Sequence, residues 1–203
     1  MVIIKTNDLC NRIGTALLNY DLRSKFVFLT DRLKTFLLSV LRTEERREWV
    51  RARNKSAKEF VRIFPALADI NPDNLSDAEA AAYLWLFNQM TGDCFEDGQY
   101  FGRTLAVNCH QMLSEPLETL EKVACLFSLP YDDVIRAHVR NHWSVSRHSK
   151  DLSRQYDANS RESILKRAEE RYGAEAELGI EWASGLVAQS IIRKGSYVEN
   201  ITD

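Results

Sequence analysis

Basic side chains crowd one short stretch of this chain, "VRNHWSVSRHSKD". Arg140, Arg147, His148 and Lys150 lie close together, with Ser144, Ser146 and Ser149 between them. Cationic donors mixed with hydroxyls bind phosphate or sulfate through charge-assisted hydrogen bonds. The same composition also describes a solvated surface loop. Near the C-terminus, "IIRKGS" supplies Arg193, Lys194 and Gly195, two cations and a residue whose backbone can wrap closely round an anion. A bare R-K-G also recurs by chance. His138 and His142 are four residues apart and share one helical face, as a pair of metal ligands would. No carboxylate or cysteine completes the set at a recognisable spacing, and two polar residues near a helix end explain the pair as well.

The glycine-rich loops that cradle phosphates are not found in this sequence. There is no G-x-x-x-x-G-K-[ST], no G-x-G-x-x-G and no G-x-S-x-G, and the eight glycines are scattered.

Composition narrows the classes. Hydrophobic residues make up 45% of the 203, enough for a sizeable core. A net charge of -2 gives no general attraction to nucleic acid or to an anionic membrane, while leaving room for a local basic pocket. Cys10, Cys94, Cys109 and Cys125 form no C-x-x-C pair. Three of them have apolar neighbours and read as reduced core residues, with Cys94 in a loop. A reducing compartment, the cytoplasm, is the expectation. No stretch is apolar enough to span a bilayer, and no secretory leader is recognisable.

The elements that must position these groups follow a strand–helix rhythm. "VIIK" reads as a strand at Val2–Lys5, and Asn7 or Asp8 can cap a helix carrying Cys10, Ile13, Leu17 and Leu18. Phe26–Thr30 is a second strand. Asp31 is placed to cap a helix with Leu33, Phe36, Leu37 and Val40 on one face. A charged helix follows, with Trp49, Phe60 and Phe64 expected on its buried side. Ser76 and Glu79 form a capping box for a helix whose Tyr83, Trp85 and Phe87 read as core. A third strand is expected at Thr104–Cys109, and Pro116 opens a further helix. "LPYDD" begins another helix, the basic stretch is irregular, and two helices, about 161–172 and 175–192, close the chain. The expected fold is a single α/β domain over 1–203, helix-rich, with a partial parallel sheet of three strands.

In this order the segments "VIIKTND", "KFVFLTDRLKTFLLS" and "LAVNCHQMLSEPLETLEKVACLFSLP" resemble the sulfotransferase family. That family has a K-T-H strand, then a strand leading into an arginine-containing turn and a helix bearing a serine. A later strand runs into E-D-x-x-x-x-P and a helix ending in F-L-G-x-P. The resemblance covers about 2–39 and 105–130 and is weaker at "RHSKD" and "RKG". It implies a P-loop-like fold and 3'-phosphoadenosine 5'-phosphosulfate as donor. The reaction it implies is transfer of a sulfuryl group to a hydroxyl or amine of a small-molecule or carbohydrate acceptor. In the family a strand and phosphosulfate-binding loop precede the K-T-H strand, and this sequence starts after that point. Unpaired strand edges then lean towards self-association into a homo-oligomer.

Residue by residue, the resemblance implies that Lys5 neutralises charge on the transferring group. Asn7 replaces the histidine base, and an amide nitrogen takes no proton at neutral pH; Asp8 is the substitute beside it. Ser39 matches the serine that binds the 3'-phosphate, with Arg32 as its partner, one residue nearer than the family spacing. His148, Lys150, Arg193, Lys194 and Gly195 match the basic loop and R-K-G. His110 and Gln111 replace the acidic pair. Two readings stay open: a sulfotransferase-like enzyme, and a non-catalytic binding or interaction protein on the same scaffold.

Overall fold

The protein is described by a computed structural model covering residues 11–57, 64–96, 98–142, 147–148, 151–188 and 201. In chain order the elements begin with α1 (Asn11–Tyr20), β1 (Phe26–Thr30), α2 (Leu33–Leu41), α3 (Glu44–Ala57) and α4 (Pro65–Ala68). A 3-10 turn at Pro72–Asn74 leads to α5 (Asp77–Glu96), then β2 (Thr104–Asn108), α6 (Cys109–Ser114), α7 (Pro116–Phe127) and α8 (Asp133–Asn141). The short β3 (Arg147–His148), β4 (Asp151–Gln155) and the long α9 (Ala158–Ala188) complete the order.

Helix α5 is the axis of the molecule. Every residue from Ala80 to Phe87 is buried. A helix that is apolar all round needs neighbours on every side, and α1, α2, α3 and α9 supply them. Tyr83, Trp85 and Phe87 are core residues as their type predicts, and burial pushes the Tyr83 phenol up to about 12. The capping box forms: Ser76 Oγ accepts from Glu79 N–H, and Glu79 Oε2 accepts from Ser76 N–H at 2.8 Å. Along α9 the buried positions are small, namely Ala168, Ala176, Gly179 and Ala183. Gly179 sits where a Cβ would lie 2.9 Å from the Ala78 carbonyl oxygen, so its lack of a side chain lets α9 meet α5 backbone to side.

Strands β1 and β2 are parallel, with Phe26 opposite Thr104 and Thr30 opposite Asn108. Among the described residues this parallel sheet has two strands rather than three, and Val2–Lys5 lies outside those residues. The molecule is therefore a helix-rich α/β fold in which the strands flank a helical core. Phe26 stacks on Phe95 with ring centroids 4.5 Å apart, and Phe28 packs in the same small cluster with Leu18 and Tyr100. Arg103 locks the strand starts to α1. Its Nη2 donates to the carbonyls of Leu18 and Asp21, and its Nε donates to that of Ser24.

Several expectations are corrected. Ala158–Ala188 forms one helix, α9, through Gly173, where two were expected. A single glycine costs a helix about 1 kcal/mol, and packing against α2 and α5 outweighs that. The basic stretch is not wholly irregular, because Arg147–His148 and Asp151–Gln155 pair antiparallel. Asp31 is not the cap of α2. The N-cap position is Arg32, which makes no side-chain capping bond, and the Asp31 carboxylate is engaged elsewhere. Trp49 is half-exposed with the Arg53 guanidinium over its ring, while Val50 and Asn54 face inward from α3. Phe64 is buried, but at the start of α4 and not on α3, and Phe60 lies outside the described residues. Cys94 lies within α5 and not in a loop, and Cys125 is exposed on α7. Cys10 is outside the described residues.

Candidate anion-binding site

Helix α2 is nine residues long, and this length decides where its polar groups fall. Arg32 stands exposed before its first turn, whereas Ser39 is in its last. At 1.5 Å per residue the two are separated by roughly 10 Å along the axis. The expected pairing of Arg32 with Ser39 round one anion at the helix start is therefore not what the helix builds. Ser39 Oγ instead accepts a hydrogen bond from Arg46 Nη1 at 2.8 Å.

Around Ser39 is a cavity of about 70 Å³, lined by Ser39, Arg42, Arg46, Tyr156, Arg161, Ile164 and Leu165. This is several times the space that one water needs. Three guanidinium groups and two hydroxyl-bearing side chains meet there, and none of these lining residues is a carboxylate. Arginine offers a planar fork of donors suited to tetrahedral oxyanions. Ile164 and Leu165 add an apolar wall on one side. Such a lining suits an anionic group whose organic part would rest on the aliphatic wall.

The surrounding elements hold these arginines in place. Arg42 and Arg46 come from the α2–α3 corner, which Arg47 clamps. Arg47 Nε donates to the Leu41 carbonyl, its Nη1 and Nη2 donate a pair of hydrogen bonds to Glu175 at 2.5 and 2.7 Å, and its Nη1 also donates to Asp77 at 3.0 Å. The hydrogen bonds to Glu175, set against burial and joined by the one to Asp77, raise the Arg47 guanidinium further above its ordinary value. Arg161 comes from the second turn of α9. Asp157 opens that helix by accepting Ser160 N–H at 2.8 Å.

On its other side Arg161 forms an ion pair with Asp31, directly after β1. Asp31 Oδ1 also accepts Arg32 N–H at 3.1 Å, and Trp85 Nε1 donates to the Asp31 carbonyl at 2.9 Å. Cys109 and His110 follow the end of β2 nearby. The Asp31 pair thus ties the cavity residue Arg161 to the carboxyl end of β1, the end at which open α/β sheets usually bind ligands. Burial pushes the Asp31 carboxyl above its ordinary value, and Arg161 offsets this only in part. Burial, then the Asp31 charge, lifts the Cys109 thiol to about 11, which keeps it protonated and unreactive.

Of the residues singled out from sequence, Ser39 alone is seen to line the cavity. Lys5, Asp8, Lys150, Arg193, Lys194 and Gly195 lie outside the described residues. His148 is placed in β3 by its backbone only, and the neighbouring Arg147 is exposed, with Nη1 donating to the Ser153 carbonyl. The His138 and His142 rings are 5.8 Å apart at the end of α8. Among the described residues no group of three or more His, Cys, Asp or Glu side chains is arranged to hold a metal ion.

Sequence reading missed Arg42, Arg46, Tyr156 and Arg161. Arg42 and Arg46 are brought to Ser39 by the corner between α2 and α3, which no local pattern in the sequence marks. Nothing local marked Arg161, which reaches the site from a distant part of the chain. Among the described residues no helix is long and apolar enough to cross a membrane. Compared with family models, with curated proteins and with solved structures, the chain matches none.

Proposed function

We propose that this chain is a sulfotransferase-like binding protein whose cavity at Ser39 holds the phosphate of a nucleotide of the 3'-phosphoadenosine class. The observation that carries the reading is that Arg42, Arg46 and Arg161 line one cavity with Ser39, whose hydroxyl accepts from Arg46, and that no carboxylate lines it. Ser39 is also the residue that the sulfotransferase resemblance assigns to the 3'-phosphate. The two arguments are independent, one from sequence order and one from geometry.

The family's reaction is sulfuryl transfer from 3'-phosphoadenosine 5'-phosphosulfate to a hydroxyl or amine acceptor. It requires an in-line donor and a base beside the acceptor. Asn7 stands at the position of that base and cannot act as one, so the proposal is binding rather than turnover. Lys5 and Asp8 are the residues on which transfer would depend. A third parallel strand at Val2–Lys5 belongs to the same proposal.

Titration calorimetry with 3'-phosphoadenosine 5'-phosphate tests the reading. Wild-type affinity is expected to be roughly millimolar, about 4 kcal/mol. Arg46→Ala removes an exposed guanidinium outside the core and should weaken binding several-fold. No binding by the wild type, or affinity unchanged by Arg46→Ala, overturns the proposal.

A further inference from the structure

Arg161 belongs to two sites at once. It lines the cavity, and its Nη2 donates to Asp31 Oδ2. Both side chains are mostly buried, 15% exposed for Arg161 and 18% for Asp31. The carboxylate is further fixed by Arg32 N–H on its other oxygen. A guanidinium has donors enough for two partners, but each anion that it holds reduces the positive charge felt by the other. Building on the reading of the cavity as an oxyanion site, we infer that Asp31 is a built-in competitor for Arg161, so that an anion binds more tightly when Asp31 is protonated.

The groups facing Asp31 set the sign. Arg32 precedes α2, Arg161 comes from α9, and Tyr156 interacts with that same guanidinium. His110, from α6, acts on Asp31 as a positive charge when protonated. Cys109 stays a neutral thiol throughout the ordinary pH range. Trp85, from α5, meets only the Asp31 carbonyl and does not titrate. Burial already favours the neutral carboxyl. Protonation removes the one negative charge on the inner side of Arg161 and lets the guanidinium fork turn wholly to the cavity. By linkage, an anion that takes Arg161 must raise the proton affinity of Asp31 equally.

Inorganic sulfate is the suitable probe, because it keeps both charges over the working range, whereas phosphate itself titrates near pH 6. Calorimetry on the full chain compares wild type, Asp31→Asn and His110→Gln at about pH 8 and about pH 4, the lower value chosen to reach a carboxyl that burial raises above its ordinary value. Wild-type affinity should rise about tenfold on going to the lower pH, the effect of one charge-assisted hydrogen bond gained. Asp31→Asn, which keeps an oxygen for Arg32 N–H, should bind tightly at both pH values, and His110→Gln should retain the wild-type dependence. Should Asp31→Asn fail to fold, proton uptake on sulfate binding by the wild type, read from buffers of different ionisation enthalpy, decides instead. Uptake supports the competition and its absence overturns it. A wild-type pH dependence in Asp31→Asn, or its loss in His110→Gln, overturns the competition alone. No sulfate binding by wild type and Asp31→Asn at either pH overturns the oxyanion reading and the competition with it.

Discussion

Arg161 and Asp31 join the start of the last helix to the end of the first parallel strand through one largely buried ion pair. The pair is asymmetric in its consequences. Removing the cation leaves a carboxylate in a site whose burial already disfavours its charge. Arg161→Leu is therefore expected to destabilise the fold by about 3 kcal/mol near neutral pH. The loss should shrink on acidification. Asp31 has a raised value in the folded state, so below that value it is neutral and needs no partner, and the variant regains stability as pH falls through it. Urea melts of both proteins at two pH values would show this. A loss that stays constant with pH would mean that Asp31 is not the group left stranded.

Asp77 titrates in the opposite sense. Burial alone would raise its carboxyl, but hydrogen bonds from Arg47 and Arg51 overcome that and hold it below the ordinary value. Its stabilising effect is present above the unfolded value and is lost as pH falls through the lowered folded one. Asp77→Asn should cost about 1–2 kcal/mol at neutral pH, allowing for the partial exposure of Arg51. The cost should vanish in strong acid. Melting temperatures of wild type and variant, followed down the pH scale, should converge there.

Three glycines give a contrast on similar helical backbone. A Cβ at Gly92 would lie 2.6 Å from the Phe28 ring, and one at Gly14 would lie 2.7 Å from the Phe26 ring. Alanine at either position should cost about 1–3 kcal/mol by displacing those rings from the stack on Phe95. At Gly185, nothing lies within 4 Å of the added carbon. Gly185→Ala should stabilise by about 0.5–1 kcal/mol through helix propensity alone. Denaturant midpoints of the three variants check the order, and equal effects would contradict the packing.

The fold was legible where sequence carries a local signal. Phe26–Thr30 and Thr104–Asn108 are β-branched and aromatic runs. Pro116 marks the start of α7, and Ser76 with Glu79 marks the start of α5. It was not legible where tertiary contacts override that signal. Gly173 reads as a helix end but is spanned by α9 because α2 and α5 support it on either side. Asp151–Gln155 is polar and lacks the alternation of a half-buried strand, so its pairing with β3 left no trace in sequence. Trp49 reads as an anchor by residue type, yet the face of α3 is set by Val50 and Asn54, the latter donating to the Ala80 carbonyl at 2.8 Å. Of the cavity lining, Ser39 was legible. The cation expected beside it, Arg32, stands at the near end of α2, and the length of that helix leaves Arg46 as the donor to Ser39.

The two ends of α2 make a last test of which arginine serves the cavity. Arg32 is exposed before the first turn, and its contact with Asp31 uses only backbone N–H. Alanine there leaves that bond intact. With the cavity roughly 10 Å further along the helix, Arg32→Ala should change affinity for 3'-phosphoadenosine 5'-phosphate by less than about twofold at ordinary ionic strength, the residue being a Debye length away. Arg46→Ala should cost clearly more, because it removes a donor from the cavity wall and the hydrogen bond to Ser39. Salt sharpens the comparison. Wild-type affinity should fall steeply as salt is raised, since charge supplies most of the contacts, and Arg46→Ala should show a shallower fall because one of those charges is gone. Arg32→Ala should keep the wild-type salt slope. Were Arg32→Ala the more damaging variant, the phosphate would lie at the start of α2 and the cavity at Ser39 would not be its site.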